Sequence, residues 1–239
     1  MRTGRNRKVA LYVNKPKIIK HVNMSQNSPS RSRILCLQHC QKDINIFFTV
    51  FPNSCPICGE SLTESEALIP PFAIPSPFSS AAEVPVSVIV KPSRGSWLEY
   101  ERSTTNLHIG ISDSKGCTYD YDEDGLHHNS NLWSDCIAIP LTEKKDSDFI
   151  QKWDKTLYFS ASSPYWTAKK YHPDFNNCYD FVLTMLSKAG LAASDPRYKN
   201  KEDFCESVLL PQTTHAAKYI SMYRKLKETD VIWIDKNKE

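Results

Sequence analysis

No stretch of this 239-residue chain approaches the roughly 20 consecutive apolar residues that a membrane-spanning helix needs, so no transmembrane segment is expected. The start is basic but has no apolar core, which argues against a secretory signal. Residues 1–33 contain no aspartate or glutamate. They hold nine of the 30 Lys+Arg, which leaves 21 bases against 27 acids in the remainder, a net of −6. The overall +3 therefore hides an acidic body, which argues against a nucleic-acid surface. No internal repeat is visible.

What is present is ordinary for a soluble globular protein: 40% hydrophobic and 24% charged residues. Length allows one domain, or a small module followed by a domain of roughly 150 residues. Eight cysteines without a secretory signal point to reduced thiols, some with metal or catalytic roles, and to a cytoplasmic or nuclear location. The leader, 1–33, reads as a disordered tail. A mitochondrial presequence is the alternative its basic, acid-free composition allows.

The chain divides into four segments. After the leader comes a small cysteine-bearing module, 34–66, with a strand predicted over Ile44 to Phe51. A Pro-rich linker, 67–85, follows, with Pro70, Pro71, Pro75, Pro77 and Pro85 expected to keep it extended and irregular. An α+β domain is expected over 86–235, strands first and helices mostly after. Its predicted strands are 86–90, 107–111, 117–121 and 136–141, the middle two joined by a turn at Asp113–Gly116. Predicted helices run from Asp146 to about Leu157, from Cys178 to Ala189, near Lys201–Leu209 and over Thr214–Lys227. The segment 231–234 reads as a closing strand or packed tail.

The helix at 178 carries the chemistry. Cys178, Phe181, Val182, Met185, Leu186 and Ala189 form one apolar stripe at helical spacing. Asn177 is a good N-cap, Asp180 sits where a capping-box acid would, and Gly190 is placed to end the helix. Cys178 is thus the first helical residue, where unpaired N–H groups and the helix dipole stabilise a thiolate. A packing thiol on the core stripe fits the same position. His108 favours the nucleophile. On the alternating strand Asn106–Ile111 it shares a face with Gly110 and Ser112, so it can serve as a rigidly held general base. Gly110 would let a helix or substrate approach closely.

The pair His108-Ile109-Gly110-Ile111 and Asn177-Cys178-Tyr179-Asp180-Phe181, in that order, resembles the permuted papain-fold families. These include the NlpC/P60-type domains, the lecithin:retinol acyltransferase-like proteins and the PPPDE-type deubiquitinating peptidases. The resemblance implies an antiparallel sheet packed on helices, with a core from about residue 86 to 192. It implies Cys178 as nucleophile and His108 as base, acting on an acyl, amide or thioester bond. A third residue often orients the histidine, and hairpin register decides which one can. A three-residue loop, Ser114 to Gly116, brings Asp120 onto the face of His108, whereas a two- or four-residue loop favours Tyr119 or Tyr121. Asp120 is the better orienter chemically. His127, His128 and His172 are further candidates that read as surface or loop residues.

At whole-chain scale, over about residues 35 to 230, the sequence is similar to the makorin-2 opposite strand protein family. The similarity rests on the His-Cys…Cys-Pro-x-Cys start, the HIGI…YDY stretch, the NNCYDF helix and the AAKYISMYR segment. It implies no particular activity.

The N-terminal module contains Cys55-Pro56-Ile57-Cys58-Gly59, the pattern of a zinc knuckle, with Gly59 permitting the tight turn. Cys40 supplies a third ligand. The fourth is Cys36, favoured by spacing because adjacent residues seldom reach one metal, or His39, favoured by the family start. A structural zinc held by His39, Cys40, Cys55 and Cys58 would staple a module with too little core of its own. Cys117, Cys136 and Cys205 read as packing residues.

Two functions follow. One is a cysteine peptidase, isopeptidase or acyltransferase acting on a protein or acyl-bearing substrate. The charged 231–239 segment is unlike a membrane anchor and leans this towards the peptidase. The other is a catalytically inactive, zinc-stapled scaffold that binds another protein.

Overall fold

The computed structural model describes residues 33–63, 66–100, 106–129, 131–142 and 147–238. The expected leader, apart from Arg33, and the expected helix start at Asp146 lie outside the described residues. The chain is α+β and forms two compact units, Arg33–Ile74 with the segment from Asp230 onward, and Pro75–Thr229.

The first unit is a four-stranded antiparallel sheet in the order β3-β1-β2-β9, built from β1 (Leu35–Gln38), β2 (Ile44–Phe48), β3 (Ile69–Ala73) and β9 (Val231–Asp235). Leu37, Ile44, Ile46, Phe48, Cys55 and Leu62 form its core. Fully burying each of the large apolar side chains contributes about 1.5–3 kcal/mol. Two differences from the sequence reading stand out. Part of the expected linker is strand β3, because Pro70 and Pro71 lie on the sheet edge, where a missing N–H costs least. And β9, expected in the larger domain, pairs along its whole length with β2, Ile44 opposite Asp235 through Phe48 opposite Val231. Strand pairing at a separation of nearly 190 residues leaves no local signature.

The second unit holds a five-stranded antiparallel sheet, order β7-β6-β5-β4-β8. Its strands are β4 (Ser87–Pro92), β5 (Leu107–Ser112), β6 (Thr118–Asp122), β7 (Gly125–His128) and β8 (Ile137–Pro140). The helices are α1 (Ser147–Ala161), α2 (Cys178–Ala189), α3 (Leu191–Ser194), α4 (Lys201–Phe204) and α5 (Leu210–Thr229). Helix α2 packs on β5 and β6 and against α1. Its stripe, Phe181, Val182, Met185, Leu186 and Ala189, is buried as the periodicity predicts.

The two helices predicted at 201–209 and 214–227 run into one another. A π-helical segment, Cys205–Leu209, joins α4 to α5. Pro211 has no N–H to donate and would crowd the carbonyl four residues back. A wider turn just before it lets the rod continue, so the proline does not end the helix. The sequence suggested surface or loop positions for His127 and His128; they lie on strand β7 at a sheet edge, with His128 exposed.

Candidate functional site

Strand register decides the first site. Gly110 lies opposite Asp120 and Ile111 opposite Tyr119, and Asp113 N–H donates to the Cys117 carbonyl at 2.9 Å. This is the three-residue loop, closed by Gly116 at φ 79°, a backbone that favours glycine. Asp120 therefore stands on the face of His108, and its Oδ2 is 2.9 Å from His108 Nε2. Its other oxygen, Oδ1, accepts from Trp133 Nε1 at 2.9 Å. Both carboxylate oxygens are thus satisfied, at 7% side-chain exposure. The Trp133 indole also stacks on the imidazole, centroids 5.6 Å apart.

Gly110 explains how the indole reaches that position. A Cβ there would sit 2.8 Å from the Tyr119 carbonyl oxygen and 3.1 Å from Trp133 Cζ2. The close approach that a glycine permits is used by a tryptophan, whereas the sequence suggested a helix or substrate. Trp133 was not legible as a site residue. A buried carboxylate's need for a second donor was the available signal, but it names no partner.

Cys178 stands first in α2 and lines the same cleft as the imidazole. Asn177 caps the helix: its Oδ1 accepts from Tyr179 N–H at 3.0 Å, while Asp180 Oδ2 accepts from Asn177 N–H at 3.0 Å. Asn177 Nδ2 donates to the Pro173 carbonyl, and Lys201 Nζ meets Asp180 Oδ2 at 2.7 Å. These contacts fix the helix start and hence Cys178, which is 6% exposed. Burial disfavours a charged His108, but the hydrogen bond to Asp120 and the influence of the neighbouring Cys178 outweigh it and hold the imidazole up to about 9. A cysteine at a helix N-terminus on the same cleft as a histidine can serve as a nucleophile towards a carbonyl carbon.

All three residues line a cleft of 710 Å³. His127 lines it too, with Nε2 2.7 Å from Asp122 Oδ1, while His128 packs at a tilt against Tyr119 and His172 stacks on Phe175, neither of them on the cleft. Ligand atoms of His108, Asp120 and Asp122 lie within 4.8 Å of one another, a set that could also hold a cation. The oxygens of Asp120 are already committed to His108 and Trp133, which favours an orienting role.

In the first unit, His39, Cys40, Cys55 and Cys58 bring their ligand atoms within 4.8 Å of one another. Cys40 and Cys55 sulfurs are 3.9 Å apart, and Cys58 Sγ is 3.5 Å from His39 Nδ1. Tetrahedral zinc with bonds of about 2.3 Å to sulfur and 2.0–2.1 Å to nitrogen requires separations of about 3.8 and 3.6 Å. The donor set fits. Gly59 at φ 78° closes the knuckle, and Ile57 N–H donates to Cys55 Sγ at 3.4 Å. Burial works against the Cys55 thiolate, but the Cys58 and Ile57 N–H groups outweigh it and bring the thiol down to about 7. Cys36, the alternative ligand, is 1% exposed on β1, pushed up to about 12 by burial, and outside the cluster. Cys136 is likewise buried packing, its thiol also held near 12 by burial; Cys117 and Cys205 are half-buried.

Comparison with known proteins then places the chain. The family model described as DUF4796 C-terminal matches residues 71–226, and that described as DUF4796 N-terminal matches 32–62. The chain belongs to the DUF4796 family. The C-terminal DUF4796 match contains His108, Asp120, Trp133 and Cys178, and the N-terminal match contains all four residues of the metal-competent cluster. The human protein named MKRN2 opposite strand protein is 29% identical over 195 residues, which cover 82% of this chain and 86% of its own. No solved structure matches. Among the described residues no helix is long and apolar enough to cross a membrane.

Proposed function

We propose that Cys178, His108 and Asp120 form a thiol nucleophile centre for hydrolysis or transfer at an acyl, amide or isopeptide bond, on a permuted papain-like core. The observation that carries this is an imidazole held on a buried carboxylate that lines one cleft together with a thiol at a helix N-terminus. The Cys178 thiolate would attack the carbonyl carbon, and His108 would give its proton to the leaving group. A thioester remains on Cys178 until water, with His108 now the base, or another acceptor releases the acyl group.

An electrophilic cysteine probe tests this at neutral pH. Cys178 should react ahead of the other seven cysteines, and His108→Ala should suppress the reaction. Absence of preferential labelling would sink the proposal in favour of a non-catalytic scaffold. That second reading draws on the low exposure of Cys178 and its place on the core stripe. For His39, Cys40, Cys55 and Cys58 the proposed role is a structural zinc, which would supply cross-linking to a unit with a small core.

A further inference from the structure

The cleft carries charge in an order set by the sheet. Lys91 on β4 lies directly opposite His108 on β5. Continuing the β5–β6 register by two residues brings His108 level with Asp122, and the short separation of their ligand atoms agrees. Paired residues on neighbouring antiparallel strands face the same side about 4.8 Å apart. A row therefore crosses the cleft: a cation, the candidate base, an anion.

The loops at either end of the row extend it. Arg94, exposed just after β4, lines the cleft on the cationic side. Glu123 and Asp124, exposed in the β6–β7 turn, line it on the anionic side. Lys91 is held in place over the Trp133 ring, its Nζ 5.2 Å from the centroid. The same tryptophan thus steadies the carboxylate, the imidazole and the cation. Among the described residues, the apolar lining consists of Leu107, Leu132 and the rings of Tyr171 and Tyr179. A long hydrocarbon chain needs a predominantly apolar channel, and this cleft offers charged walls.

We infer that the substrate is a polypeptide segment, with a basic side chain over Asp122, Glu123 and Asp124 and an acidic group over Lys91 and Arg94, flanking the bond presented to Cys178. This rests on the thiol reading above and specifies its substrate class. Peptides lying across the strands, perpendicular to β5, would meet the two charge walls on opposite sides of the reacting carbonyl.

The test uses the full chain and a panel of fluorogenic peptides of one length. Their side chains beside the scissile bond are basic–acidic, acidic–basic, neutral, or replaced by a fatty-acyl ester. One of the two mixed orders should exceed the neutral peptide by roughly tenfold in kcat/KM, as two partly screened charge contacts give. The preference should shrink at high salt. In a chain carrying Glu123→Lys and Asp124→Lys, neither of which contacts the reacting groups, the basic side chain should lose its advantage. Labelling of Cys178 by iodoacetamide, small and neutral, should be unchanged in that variant. Normal labelling with a flat panel, or with the fatty-acyl ester preferred, overturns the charge-selective substrate and leaves the thiol centre standing. Failure of Cys178 to label in the unaltered chain removes the thiol centre and this inference with it.

Discussion

Replacing Asp120 by asparagine preserves the side chain's shape and removes its charge, so it isolates what the carboxylate does for His108. The folded protein holds His108 at about 9, against about 6.5 for an ordinary imidazole. That difference corresponds to about 3 kcal/mol. A charge-assisted hydrogen bond accounts for about 1.5–3 kcal/mol, so removing the Asp120 carboxylate should cost about 2 kcal/mol. The folded-state value lies above the unfolded one. The stabilisation is therefore complete below about pH 6.5 and is lost as pH rises through about 9. Urea unfolding of the parent chain and Asp120→Asn should differ by about 2 kcal/mol at pH 6, and the gap should close by pH 10. NMR titration of the His108 Cε1 proton should move towards or below the ordinary range in the variant. A gap that stays constant from pH 6 to 10, or a variant His108 still titrating near 9, would refute the reasoning.

Two further outcomes follow from packing and from metal chemistry. Gly110→Ala should cost about 1–3 kcal/mol in a thermal or urea melt, because the added methyl meets the Tyr119 carbonyl and the Trp133 ring. It should also slow labelling of Cys178 by displacing the indole that supports Asp120 and His108. In the first unit, elemental analysis should find one zinc per chain. Cys58→Ser or His39→Ala should lose it and lower the melting temperature, while Cys36→Ser should retain it; loss of metal from the Cys36 variant alone would point to the wrong fourth ligand.

Much of the candidate site was legible because it rests on local rules. Helix periodicity, an asparagine cap, a capping acid and a terminal glycine delimit α2 and place Cys178 first in it. Strand alternation puts His108 and Gly110 on one face. The hairpin register was not legible, since loops of two, three or four residues suit the same sequence, and a slip of one residue would exchange Asp120 for a tyrosine. Trp133 and Lys91 were missed for a different reason. Their roles come from neighbours on other strands and loops, and nothing in their own sequence context marks them.

The cysteine pattern behaves in the same way. The knuckle at Cys55–Gly59 is a local turn and is readable as such. Spacing favoured Cys36 as the fourth ligand, whereas strand β1 turns Cys36 into the core and brings His39 to the cluster. The sequence alone determined the cap and stripe of α2, the histidine strand and the knuckle, because each depends on residues within about a dozen positions. Only the tertiary structure decided that Asp120 rather than a tyrosine meets His108, that Trp133 fills the space above Gly110, and that β9 completes the first sheet. Those outcomes depend on pairing and packing between segments far apart in the chain, where many registers share one sequence pattern and burial selects among them.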